Sequence, residues 1–390
     1  MMTEPDDLLE TAVELTRLLV EMPSISTDSN LAVIEFLRMY LEDLGATCEI
    51  TMDDSGAKAN LFATLGPDID GGIILSGHTD VVPVEGQDWS SDPFQLREDN
   101  GNLYGRGTCD MKGFIACTLA IAPRFASARL SRPLHFAFTY DEETGCLGAE
   151  VMLAALKASG RRPSVCIIGE PTGMKVIEGH KGCCETTTTF GGLEGHGSAP
   201  AAGVNAVEYA ARYIGELLRI AQDLKPRAPA DSRFEPPWTT INVGSIRGGV
   251  AHNVIPNTCE IEWEFRPINQ SDKKFVRERI NNFAEQVLLP QMQATWPEAT
   301  LETEIIGDID GLEPMPESQA VSLVQELTGG NSVGLVAFGT EAGLFQSLGI
   351  STVVCGPGHI TEAHKPDEFV ALSELSACLA MLMRLLPKLC

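Results

Sequence analysis

Apolar residues in the first third of the chain recur with two different periods. Leu8, Leu9, Val13, Leu15, Leu18 and Leu19 fall at helical spacing, and a second helical pattern over roughly 29–44 ends at Gly45, a glycine stop. Short apolar runs at 73–75, 134–138 and 165–168, each bounded by turn residues, predict buried strands. Segments 111–125 and 149–159 read as helices between them. The expectation is an α/β fold, a helix-covered mixed sheet with its active edge at the strand C-termini.

The rhythm changes near His180. CCETTTTF, VNAVEYAARYIGELLRI, TTINVGSI, TCEIEWEF, SDKKFVRERINNFAEQVLL and ATLETEII read as β-α-β-β-α-β, a ferredoxin-like order compact enough to be an inserted domain. Segment 223–237, rich in Pro, Ala and charge, is expected to be a mobile loop. After about Gly307 the first rhythm resumes, with a helix near 317–327, a strand at 352–355 and a closing helix over 372–385. The expected organisation is a discontinuous domain, 1–179 and 309–390, interrupted by an insertion at 180–308. No internal repeat or low-complexity segment interrupts it.

Composition narrows the function classes. With 390 residues, 44% of them hydrophobic, the chain exceeds the size at which a single core stops growing, so two domains are expected. A net charge of −26 argues against a nucleic-acid partner, because phosphate binding is driven by Lys and Arg displacing counterions. The start, MMTEPDDLLETAVEL, is acidic and heads directly into a helical pattern, unlike a secretory signal, and no apolar stretch is long enough to span a bilayer. Eleven cysteines without CxxC spacing indicate reduced thiols and a cytoplasmic location. Cys109 next to Asp110 invites a nucleophile reading, but a small buried apolar residue is the commoner role.

The chemistry-bearing residues sit where strands should run out into loops: LSGHTD (His78, Asp80), GRGTCDMKG (Asp110), FTYDEETG (Glu142, Glu143), IIGEP (Glu170), LEGHGSAP (His196) and AHKPDE (His364). Neutral imidazole and ionised carboxylate are ligands for zinc and related ions, and a sheet edge can gather ligands distant in sequence. His78 can offer one ring nitrogen to a metal while Asp80, two residues on, holds the other. Taken alone, HxD is a weak signal, and Asp110 ahead of a helix reads equally as an ordinary N-cap. Asp141, Glu142 and Glu143 repel one another unless a cation lies nearby. In an extended segment Glu142 and Glu143 point to opposite sides, so one can bind metal while the other handles protons.

Taken together, GHTDVVP, GRGTCDMKGF, DEETG, GEPTG, GHKG and CGPGHITEAHKPDEF resemble the motifs of the dinuclear zinc amidohydrolase and peptidase family that includes acetylornithine deacetylase, succinyl-diaminopimelate desuccinylase, aminoacylase and carboxypeptidase G2. The match covers nearly the whole chain in the family's order, with an insertion where the family has its lid and dimerisation domain. The resemblance implies two zinc ions per subunit, replaceable by cobalt or manganese. His78 and Glu170 would bind one, Glu143 and His364 the other, and Asp110 would bridge. It makes Asp80 the partner of His78 and Glu142 the general base for a water acidified toward about pH 7 by the ions. His196 would stabilise the oxyanion, and the insertion would make a homodimer. Asn253 and Arg266 resemble residues that grip a substrate carboxylate. Thr340 and Glu341, in FGTEAGLFQSLGI, place the chain nearest the acetylornithine deacetylase branch, where Glu341 would meet a substrate ammonium. His359 departs from that branch, which has a small polar residue there. The implied substrate is a small N-acyl amino acid, foremost N2-acetyl-L-ornithine. Desuccinylase, aminoacylase and dipeptidase activities of the same family are the alternatives, and a non-catalytic binding protein of this fold is the remote one.

Overall fold

The computed structural model describes residues 5–390, so the first four residues of the acidic start lie outside the described residues. The chain divides into two compact units. One runs to Gly179 and resumes over Pro314–Leu335 and Thr340–Cys390; the other comprises His180–Glu313 and Val336–Gly339. The second unit runs past residue 308 because strand Thr300–Ile309 and a bridge between His180 and Leu312 keep that segment with it.

The first unit is built on an eight-stranded sheet. Its strands lie side by side in the order Thr47–Met52, Ala59–Leu65, Leu134–Thr139, Ile73–His78, Val165–Pro171, Ser351–Gly356, Val176–His180 and Val333–Val336. The four central strands are mutually parallel, with Ile73 opposite Leu134 and Val165, and Ser351 opposite Val165. Strand 47–52 pairs antiparallel with 59–65, 59–65 with 134–139, and 176–180 with 351–356. Parallel central strands buried on both faces explain why these segments read as continuous apolar runs. The next two strands of this sheet in sequence, 134–139 and 165–171, flank Ile73–His78 on opposite sides, and such a switch of direction opens a crevice at the strand C-termini.

Helix Gly113–Ala126 is apolar on nearly every side and buried almost throughout, as a helix packed between a sheet and further helices must be. Phe114 in its first turn packs so closely on the sheet that a Cβ at Gly169 would lie 2.0 Å from its ring. Only glycine fits there, one residue ahead of Glu170. Truncating Phe114 would cost about 3 to 5 kcal/mol. Strand 47–52, at the sheet's edge, and strand 59–65, inside it, lack a clear apolar run in sequence; the first is only partly covered, whereas the second is buried almost throughout.

The second unit contains a four-stranded antiparallel sheet in the order Thr240–Gly248, Thr258–Arg266, Cys183–Gly191, Thr300–Ile309. This is the ferredoxin-like arrangement that the element order predicts. Strand 258–266 alternates strictly, burying Cys259, Ile261, Trp263 and Phe265 under helices Ala206–Leu224 and Gln270–Phe283. Segment 223–237 is anchored, contrary to the mobile loop expected. Its start continues the helix to Leu224, Arg227 Nε donates to Asp272 at 2.8 Å, and Lys181 Nζ donates to the carbonyls of Pro236 and Trp238. Proline and charge mark a segment without regular structure, but long-range hydrogen bonds decide whether it moves.

Candidate metal centre

Each central strand delivers a polar residue to the same edge of the first sheet, because parallel neighbours end together. Ile73–His78 ends in His78, Leu134–Thr139 leads into Asp141, Glu142 and Glu143, Val165–Pro171 carries Glu170, and His364 follows Ser351–Gly356. Asp110 comes from the turn 108–112 that joins Ile73–His78 to its crossover helix. That turn is wound as a π-helix with Asp110 itself out of helical geometry at φ −125° and ψ 91°. The helix N-cap is Lys112, so the N-cap reading of Asp110 fails and its side chain is free for other work.

The Asp110 carboxylate stands between two imidazoles. Its Oδ1 lies 2.9 Å from His78 Nε2, and its Oδ2 lies 3.2 Å from His364 Nε2. Glu170 Oε1 approaches His78 Nε2 to 3.6 Å, and Glu143 approaches His364 Nε2 to 3.0 Å. The His78 ring has a defined tautomer, since Nδ1 lies 2.9 Å from the Asp80 main-chain carbonyl, which can only accept. The lone pair on Nε2 therefore faces two carboxylate oxygens. A proton or a cation must sit among them.

Cations fit better than protons alone. Two ligand bonds of about 2.0 Å at a tetrahedral angle put donor atoms roughly 3.3 Å apart, within the range of the observed contacts. Glu170 Oε1 is buried with no hydrogen-bond partner, which is costly for a carboxylate unless an ion takes its lone pair. The ion-pair partners of Asp110, Glu143 and Glu170 among the described residues are imidazoles, without Lys or Arg. Ligand atoms of His78, Asp110 and Glu143, and separately of His78, Glu142 and Glu170, all fall within 4.8 Å of one another.

The electrostatics carry the same message. Burial and the neighbouring Asp110 and Glu142 push the Glu170 carboxyl well above its usual range, and burial with Glu143 and Asp110 does so for Glu142. His364 is pushed up to about 10 by its hydrogen bonds with Asp110 and Glu143. His78 is raised as well, because Asp110 and Asp80 outweigh the burial that opposes its charge. Asp110, opposed by burial, is held low by His364 and His78. Without a metal this cluster stores protons; a divalent ion would replace them.

Asp80 does more than face His78. Its Oδ1 is 3.6 Å from Nδ1, too long for a hydrogen bond, whereas Oδ1 and Oδ2 accept the main-chain N–H groups of Glu142 and Glu143 at 3.1 and 3.3 Å. The aspartate thus fixes the acidic turn, with Ser26 donating to Oδ2 at 2.8 Å. Lys58, which sequence reasoning missed, neutralises Asp141 with two 2.6 Å contacts and holds that residue at φ 51°. A lone lysine in the turn ahead of a strand carries no signal for such a task.

The remaining candidates belong to both units. His196 is exposed in the short strand Gly195–His196 of the second unit, its Nδ1 2.8 Å from the Ser198 hydroxyl. Asn253 lies beside it, accepting the Gly197 N–H on its carbonyl at 2.7 Å. Arg266 forks onto Glu264 at 3.2 and 3.0 Å. Thr340 and Glu341 stand at the start of helix Ala342–Ser347 in the first unit. Thr340 is fully buried and accepts the Ala342 N–H, while Glu341 is 1% exposed with its oxygens held by Ser76 at 2.5 Å and Thr139 at 2.8 Å. Polar residues at a helix start look alike in sequence whether they face a ligand or the core. Cys109 is buried and its thiol is pushed far up by burial and nearby acids, as its apolar reading requires. His359, the departure from the branch pattern, pairs with Glu374 at 3.0 Å.

A parallel-sheet edge that gathers acids and imidazoles with an unpartnered buried carboxylate oxygen defines a metal-dependent hydrolase site. The chain belongs to the peptidase family M20/M25/M40, whose model matches residues 74–388, and it is an amidohydrolase. It is 36% identical over 365 residues to the acetylornithine deacetylase of Shigella sonnei (strain Ss046), covering 92% of each chain. Among solved structures it resembles the M20 family metallo-carboxypeptidase Sso-CP2 from Sulfolobus solfataricus, with a TM-score of 0.74 at 18% identity over 98% of this chain and 99% of that one. Aminopeptidase PepT from Bacillus cereus ATCC 10987 has a TM-score of 0.72 at 19% identity, with both chains fully covered.

Proposed function

We propose that this protein hydrolyses the amide bond of N2-acetyl-L-ornithine, releasing L-ornithine and acetate for arginine biosynthesis, with two zinc ions at the cluster described above. The observation that carries the metal reading is the Asp110 carboxylate facing His78 on one side and His364 on the other. The substrate rests on the likeness to the Shigella sonnei deacetylase.

In this reading His78 and Glu170 would hold one ion and Glu143 and His364 the other, with Asp110 serving both. When bound, the ions would lower the pKa of a water toward about 7 and polarise the amide carbonyl. Glu142, raised by burial and by its acidic neighbours, takes a proton from the attacking water and returns it to the leaving nitrogen as the C–N bond breaks. Asp80 fixes the Glu142 and Glu143 main chain so that their side chains keep separate tasks. His196, held through Nδ1 by Ser198, presents Nε2 and is proposed as the oxyanion donor. Asn253 and Arg266 are proposed to bind the substrate carboxylate, and the inserted unit, 180–308 in the expected boundaries, to make a homodimer.

The test is a comparison of kcat/KM on N-acetylornithine, N-acetylmethionine, N-acetylcitrulline, N-succinyl-diaminopimelate and a dipeptide, together with metal analysis. N-acetylornithine should win by at least ~10-fold, with two equivalents of metal retained. A dipeptide or the succinyl substrate in first place would move the protein to another branch of the family, and one equivalent or none would refute the dinuclear centre.

A further inference from the structure

Outside the ligand cluster, the first unit buries an ion pair that the mechanism above does not use. Arg106 and Glu368 are each 1% exposed, and Arg106 Nη1 donates to Glu368 Oε2 at 2.7 Å. Burying two charges is expensive, and such a pair is weak grounds for stability. Arg106 even leaves its Nε buried without a hydrogen-bond partner. A pair with these costs calls for another reason to be kept.

Its connections supply one. The second oxygen of Glu368 accepts two main-chain N–H groups, those of Cys109 at 2.9 Å and Asp110 at 3.1 Å. The second amino group of Arg106 donates to Gln87 Oε1 at 2.6 Å, and the guanidinium lies over the Trp89 ring, 5.0 Å from its centroid. Gln87 in turn donates through Nε2 to the main-chain carbonyl of His364 at 3.0 Å, and Trp89 Nε1 donates to the same Gln87 oxygen at 3.0 Å. His364 sits at φ 62°, a left-handed conformation uncommon for a residue other than glycine and stabilised here by the hydrogen bond to its carbonyl. One continuous network therefore grips the backbone of Asp110 at one end and the backbone of His364 at the other. These are two of the three residues whose side chains meet on the His364 side of the cluster, Asp110 Oδ2 and His364 Nε2 being 3.2 Å apart.

We propose that Glu368, Arg106 and Gln87 are positioning residues that hold Asp110 and His364 at ligand spacing and thereby set the metal affinity of the His364 position. This rests on the dinuclear reading given above. The network works on the main chain, so it touches neither metal nor substrate. Gln87 reaches His364 directly and Asp110 only through Arg106 and Glu368, so it should affect chiefly one ion. Glu368 acts on the bridging Asp110 and should affect both.

The experiment is a titration of zinc into metal-stripped full-length protein against a competing chelator, alongside the thermal midpoint of the metal-free form. Wild type should take two equivalents. Gln87→Ala, a change in a half-buried loop, should weaken one equivalent by about 10-fold, the scale of losing a residue that orients a ligand, and leave the other within about 2-fold. Its metal-free thermal midpoint should be unchanged. Glu368→Gln should weaken both by ~10- to 100-fold, and adding Gln87→Ala to it should cost less than the two changes taken separately, since both break one network. Should Glu368→Gln fail to fold, the Gln87→Ala result decides. The proposal is overturned if Gln87→Ala leaves both affinities unchanged, or lowers both together with the metal-free thermal midpoint, as general loosening would. Wild type that binds fewer than two equivalents refutes the dinuclear reading and this inference with it. Two equivalents in wild type with an unaffected Gln87→Ala refutes the positioning role alone.

Discussion

Two places in this molecule crowd potential metal ligands within 4.8 Å of one another, and they resolve the crowding in opposite ways. In the first unit His78, Asp110 and Glu143 meet with Glu142 and Glu170 at hand. In the second, Cys183, Glu185 and Glu264 share the face of the four-stranded sheet. The second cluster is already settled. Arg266 forks onto Glu264, Glu185 is exposed to water, and burial pushes the Cys183 thiol up to about 11, so it stays protonated where a metal would need the thiolate. The first has no arginine or lysine among the described ion pairs of its ligands, and it leaves Glu170 Oε1 buried and unpartnered. Proximity of acids is common. Buried negative charge without an internal counterion marks a cation site, because the protein has left the compensation to something it binds.

The largest break in this comparison should come from Asp110→Ala. Removing the residue shared by both halves should weaken each of two zinc equivalents by at least ~10²-fold, more than outer residues cost, and take activity with it. Elemental analysis of the folded variant checks this; two tightly held equivalents would show that Asp110 is not the bridge.

Glu142→Gln should separate chemistry from binding. The side chain keeps its shape but loses the proton acceptor, so kcat should fall by ~10² to 10⁴-fold with metal content near wild type. Because Glu142 also lies within ligand distance of His78 and Glu170, a variant that sheds metal would reassign it to the ligand shell.

Glu341→Gln probes a buried carboxylate whose compensation is internal. Its hydroxyl partners Ser76 and Thr139 lie on the two strands that lead to His78 and to the acidic turn. Leaving one of them facing an amide group should cost about 1 to 3 kcal/mol of stability by denaturant unfolding. kcat/KM should drop by the same factor, under ~10-fold, on N-acetylornithine and N-acetylmethionine. A loss confined to N-acetylornithine would restore Glu341 to the substrate ammonium.

The smallest effects belong to the second cluster. Cys183→Ser and Glu264→Gln should leave metal stoichiometry unchanged and shift stability by no more than about 0.5 to 1 kcal/mol, as expected for a half-exposed ion pair. A lost zinc equivalent in either variant would make this face a metal site and undo the contrast.

Much of this contrast was legible before any coordinates. The apolar runs at 73–75, 134–138 and 165–168 specify buried parallel strands, and residues that follow such strands share one edge, so His78, Glu142, Glu143 and Glu170 could be grouped from local pattern alone. Edge strand 47–52 escaped because it is largely exposed and leaves no apolar run, and strand 59–65 because Asn60 and Thr64 interrupt its run although it is buried almost throughout. The turn at Asp110 escaped because a π-helical turn has the composition of an ordinary helix start.

What the sequence by itself determined was the set of chemical groups and the order in which they arrive, since side-chain chemistry and the periods of strand and helix are local properties. Which carboxylates remain uncompensated was decided only by the tertiary structure. Glu264 meets Arg266 two residues away, but Glu368 finds Arg106 across 262 positions, Glu341 finds Ser76 across 265, and Glu170 finds no lysine or arginine among the described residues. Charge compensation acts over a few ångströms of space, and distance along the chain says nothing about that.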